Sequence, residues 1–114
     1  MPSKVGLAQS GLLSLLDVTP DQMQLAPILN KVLDIQKFMD DFSGSQSIVA
    51  RVARNAPGNK VNAVFEYVML RRALMQAERD IRDLRKDKSP EAKERIKEIQ
   101  QEMRGMKNDI SFYE

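Results

Sequence analysis

Apolar residues recur at Ala63, Tyr67, Leu70, Leu74, Ala77, Ile81 and Leu84, and again at Ala92, Ile96, Ile99, Met103, Met106 and Ile110. Both series alternate steps of four and three, the period that lays one apolar seam along a helix and leaves the remaining faces to charged residues. The pattern predicts a helix from about Lys60 to Asp87 and a second from Pro90 to about Lys107, with Gly105 as its weak point. At 1.5 Å per residue the first would span roughly 40 Å. Between them, Asp87-Lys88-Ser89-Pro90 is a stop and restart. Ser89 suits the N-cap, Pro90 the first helical position and Glu91 the second. So short a connection makes the two helices antiparallel neighbours.

Upstream, the pattern is helical but more broken. Lys4 to Leu16 reads as a short helix weakened by Gly6 and Gly11, each costing about 1 kcal/mol relative to Ala, and anchored on the core by Leu12, Leu13, Leu15 and Leu16. Thr19-Pro20-Asp21-Gln22 predicts a helix start at Pro20, with Thr19 and Gln22 spaced as a capping box. Pro27 then predicts a kink or break near Ala26. Ile28, Val32, Ile35, Met39 and Phe42, flanked by Leu29, Leu33 and Phe38, form a wide stripe facing a core. That helix should stop at Ser43-Gly44-Ser45. Ser47 to Asn55 is a short amphipathic helix closed by the turn Ala56-Pro57-Gly58-Asn59. The expected fold is all-α, four to five helices ending in a long antiparallel helical hairpin. Residues 1–59 would supply short helices packing on the hairpin of residues 60–114, one domain overall.

Composition supports that class. The chain is 42% apolar but only 5% aromatic, which favours helices over a sheet rich in aromatic and β-branched side chains. It has no Cys and no His, which removes thiolate nucleophiles, disulfides, Cys/His zinc sites and the usual general base near neutral pH. Asp40-Asp41 is the only adjacent acidic pair, and on a helix neighbouring side chains diverge by about 100°, so they do not converge on one proton or metal. No phosphate-binding glycine loop or other catalytic motif is present. The expectation is a non-enzyme with no cofactor, no metal and no catalytic residue. No apolar run approaches the roughly 20 residues that a membrane span needs, and the first residues lack a cleavage pattern, so neither a span nor a signal peptide is expected. Residues 4–16 leave open a helix lying on a lipid surface.

The net charge of +2 is unevenly spread. The basic excess falls on Arg51, Arg54, Lys60, Arg71 and Arg72, a candidate nucleic-acid patch, whereas residues 73–114 carry ten bases and ten acids. The pairs Glu78–Arg82, Arg79–Asp83 and Glu91–Arg95 are four apart and should brace the helices. Phe65, Val68, Met69 and Met75 fall off the hairpin seam and need a second surface, from the N-terminal helices or a neighbouring subunit. With Met103 and Met106 they are the candidate protein-interface residues. A protein partner, in a homo-oligomer or a larger assembly, is the expected ligand, and nucleic acid is the alternative.

Asp17-Val18-Thr19-Pro20-Asp21-Gln22-Met23, Ile48-Val49-Ala50-Arg51-Val52-Ala53-Arg54 and Val64-Phe65-Glu66-Tyr67-Val68-Met69-Leu70, followed by a charged hairpin, together resemble a C-terminal helical segment of the large polyvalent and ejection proteins of bacteriophages. The resemblance covers most of the chain after Asp17, although a glycine pair expected after the first helix is missing. It implies a non-catalytic packing module in a virion or its ejected cargo, in the particle or the host cytoplasm, and assigns no catalytic residue.

Overall fold

The computed structural model describes residues 11–114. The fold is all-α, with no strand among the described residues. Its helices are α1 (Ala26–Asp41), α2 (Ser45–Asn55), α3 (Lys60–Leu84) and α4 (Pro90–Tyr113). Residues 11–15 are also helical; most of the expected Lys4–Leu16 helix, and with it the lipid-surface reading, lies outside the described residues.

That first helical segment ends in a two-bond lock. The Val18 N–H donates to the Leu13 carbonyl at 2.9 Å and the Asp17 N–H to the Ser14 carbonyl at 3.2 Å, the crossed pair of a Schellman stop. Asp17 holds the left-handed position at φ 55°, which glycine normally occupies and Asp tolerates better than most residues. Its carboxylate reaches Lys60 Nζ at 3.0 Å. The pair is largely exposed, so it adds at most about 1 kcal/mol.

Thr19 and Gln22 do form the reciprocal box. The Thr19 N–H donates to Gln22 Oε1 at 3.0 Å and the Gln22 N–H to Thr19 Oγ1 at 3.4 Å. What they cap is only a single 3-10 turn, Gln22–Gln24, rather than a helix running on from Pro20. Leu25 is extended, and α1 begins at Ala26 with Pro27 in its first turn, where a missing N–H costs nothing. The proline therefore produces a break.

Gly44, at φ 81°, turns the chain from α1 into α2. The Ser45 hydroxyl, inside a buried side chain, donates toward the carbonyls of Phe42 and Met39, so α2 starts two residues earlier than expected. Asn59 caps α3 by accepting the Asn62 N–H at 3.0 Å. Ser89 caps α4 through the Ala92 N–H at 3.1 Å, with Asp87 accepting the Ser89 N–H at 2.9 Å. Caps of this kind contribute about 1 kcal/mol each.

Two boundaries differ from expectation. α3 ends at Leu84 rather than Asp87, because residues 85–87 fold back onto the carbonyls of Ile81, Asp83 and Leu84. α4 runs past Gly105 to Tyr113 instead of stopping near Lys107. A helical glycine costs about 1 kcal/mol, and the last turns recover it: Ile110 is buried, the Tyr113 ring lies 6.2 Å from the Tyr67 ring, and the Tyr113 hydroxyl donates to Glu66.

The chain divides into two compact units, one ending at Val68 and taking in Tyr113–Glu114, the other Met69–Phe112. The division falls inside α3. The first unit buries Val32 and Ile35 of α1, Val49 and Val52 of α2, and Val64, Tyr67 and Val68 of α3. In the second, the predicted seams meet: Ala77 and Ile81 of α3 pack on Ile99 of α4, with Leu84, Ile96 and Met103 against them. The fold thus ends in an antiparallel helical hairpin.

Candidate basic cleft on the helical hairpin

Within the second unit, the seam leaves a cleft of about 470 Å³ along one flank of the hairpin. Glu78, Ile81, Arg82 and Arg85 of α3 line it with Gln100, Met103, Arg104 and Lys107 of α4. The spacing explains the grouping. Glu78, Arg82 and Arg85 are four and three residues apart, and so are Gln100, Arg104 and Lys107, so each triplet forms one strip beside its helix's apolar seam. Ile81 and Met103 belong to the seams themselves, and they give the cleft an apolar floor.

Four cations therefore face one acid. Arg82, Arg85, Arg104 and Lys107 are all exposed, and none makes an ion pair or hydrogen bond among the described residues. Cations gathered without counter-charges raise the local positive potential, which an anionic ligand relieves.

The opposite flank has the reverse character. Arg95 Nη1 donates to Glu98 Oε2 at 2.9 Å and lies 3.8 Å from Glu102. The hydrogen bond to Glu98 holds its pKa above the ordinary value, and Asp80 of α3 adds to the effect. Asp80 also accepts from Gln76 at 2.9 Å. The pairs expected from sequence, Glu78–Arg82, Arg79–Asp83 and Glu91–Arg95, do not close. Arg95 turns to Glu98 and Asp83 to Lys86 at 3.9 Å. Exposed pairs differ so little in energy that spacing alone does not choose between them.

The residues singled out from sequence are divided between the two units. Phe65 and Val68 belong to the first unit and Met69, Met75, Met103 and Met106 to the second. Val68 is fully buried in its unit's core, so it offers no interface. Phe65 is half-buried, with Lys31 Nζ 5.6 Å from its ring centroid. Met69, Met75 and Met106 are half-buried, and Met103 alone lines the cleft. The five bases of the expected patch are likewise divided between the units. Arg51 and Arg54 are exposed, Lys60 is paired with Asp17, and Arg71 and Arg72 are half-buried and engaged. No protein family, curated protein or solved structure matches the chain. Among the described residues no group of His, Cys, Asp or Glu could hold a metal, and no helix is long and apolar enough to cross a membrane.

Reading residues 73–114 as neutral hid the cleft. Ten bases and ten acids cancel in the sum, but at about 100° per residue they separate around α4. Lys93, Lys97, Arg104 and Lys107 fall on one side of its seam, and Glu91, Glu94, Glu98, Glu102 and Asp109 on the other. Sorting charge by helical phase would have found it.

Proposed function

We propose that this protein is a non-enzymatic assembly module whose hairpin docks an acidic protein surface in the basic cleft. The observation that carries this reading is the set of four unpaired cations, Arg82, Arg85, Arg104 and Lys107, around the apolar floor of Ile81 and Met103. Acidic side chains would meet the cations, and an apolar side chain between them would cover the floor, so burial adds to a contact that charge alone would leave weak. A bacteriophage virion or its ejected cargo is the setting that the resemblance of residues 17–70 brings to this reading.

The same cations support a second reading, a small nucleic-acid-binding protein, with Arg51 and Arg54 as further exposed bases. An apolar floor and Glu78 inside the cleft fit a phosphate backbone less well, and no aromatic stacking series accompanies the cations.

Fluorescence anisotropy separates the two. A labelled amphipathic helical peptide, with Glu on both sides of a Leu stripe, should bind the intact protein at about 150 mM salt, weaken as salt rises, and lose at least tenfold in affinity against R82E/R104E. A 30-nucleotide single strand and a duplex should not bind at that salt. Nucleic-acid binding without peptide binding would replace the docking reading with the second one, and binding of neither would remove both.

A further inference from the structure

The cleft's counterpart lies on the other side of the same hairpin. Along α4 the acids Glu91, Glu94, Glu98, Glu102 and Asp109 share one side of the seam, and on α3 Asp80 and Asp83 occupy the matching side. Asp80 lies close enough to Arg95 to favour its charged form, which sets the α3 and α4 acids on one flank. Two bases pair with these acids, Arg95 with Glu98 and Glu102 and Lys86 with Asp83, and they leave most of the acids unmatched. The acids thus keep a net negative charge. Their flank is helical and acidic, which is the chemistry that the basic cleft selects.

We infer that the occupant of the cleft is a second copy of this chain, presenting its acidic flank, so that hairpins associate side by side in a basic-to-acidic order. The inference rests on the docking reading and names its partner. Because the two flanks are different surfaces, the contact is heterologous: each copy that donates an acidic flank still has an open basic cleft. Such contacts extend into rows or close into rings and do not stop at a two-fold dimer. Opposite charges arranged in this way favour the correct register and penalise like-on-like contact, the usual work of charge at an interface.

Two complementary variants test it in the full chain. R82E/R104E reverses two charges in the basic cleft, and E98K/E102K reverses two on the acidic flank. All four positions are exposed, and circular dichroism establishes that each variant keeps its helix content. In sedimentation velocity up to about 0.5 mM protein, where weak contacts of millimolar Kd begin to populate, the wild type should form a concentration-dependent series of oligomers that dissolves as salt rises. Each variant alone should remain monomeric, and an equimolar mixture should associate again. The neutral pair R82Q/R104Q should weaken association without giving this rescue, which guards against loss through misfolding. A wild type that stays monomeric throughout, a salt-insensitive dimer, or a mixture that fails to associate overturns the inference. If the acidic peptide still binds the cleft of such a monomer, the docking reading stands and only the identity of the partner changes.

Discussion

Replacing Tyr67 with alanine is expected to remove about 3–5 kcal/mol of stability, the range for truncating a buried aromatic side chain. Tyr67 is fully buried. Its ring meets Phe38 edge-on at 6.5 Å and Tyr113 at 6.2 Å, and its hydroxyl donates to Glu114 Oε1 at 2.8 Å. One side chain thus joins α1, α3 and the end of the chain inside the first unit. Domains of this size are stable by roughly 5–15 kcal/mol in total, so the variant should be close to unfolding. Tyr67→Phe keeps the ring and should cost only about 1 kcal/mol, the net value of a typical hydrogen bond. Urea denaturation checks both. A small shift in midpoint for the alanine variant would mean that the ring is not the organising contact of that core.

The second large effect belongs to the hairpin seam. Ile99 is buried against Ala77 and Ile81, and Ile99→Asp would place a carboxylate there with no partner. An uncompensated buried charge costs about 3 kcal/mol or more, whereas Ile99→Val should cost only about 1 kcal/mol. Hydrogen exchange localises the damage. Amides of residues 77–84 and 92–103 should lose protection in Ile99→Asp, while those of α1 and α2 keep it. Loss spread evenly over the chain would show that the two units do not open separately.

The hairpin was legible in the sequence because its determinants are local. A step of four and three marks each seam, and Ser89-Pro90 marks the restart through a cap whose donor lies three residues away. The Thr19–Gln22 box was legible too, but the same box serves a 3-10 turn as well as a helix, so it told where a turn begins and not how far it runs. The end of α4 was hidden for the opposite reason. The contacts beyond Gly105 include a bond between Tyr113 and Glu66, 47 residues apart, and no local signal reports it. The off-seam position of Val68 showed that it needs a second surface, but no local signal told whether its own core or a neighbouring subunit would supply it; it is buried in the first unit. The cleft stayed out of sight because charges were added by segment, and a sum discards the angle at which each side chain leaves its helix.

Whether the basic flank of the hairpin docks protein is read out by photo-crosslinking in the native source. A photoreactive residue replacing Gln100, which lines the cleft, is compared with one at Gln101, also exposed but about 100° further round the helix. The account predicts protein adducts from position 100 that are absent from position 101 and disappear when R82E/R104E is combined with the label. An adduct at twice the chain's own mass would identify the second copy as the partner. Adducts to nucleic acid alone, or equal yields from the two positions, would contradict it.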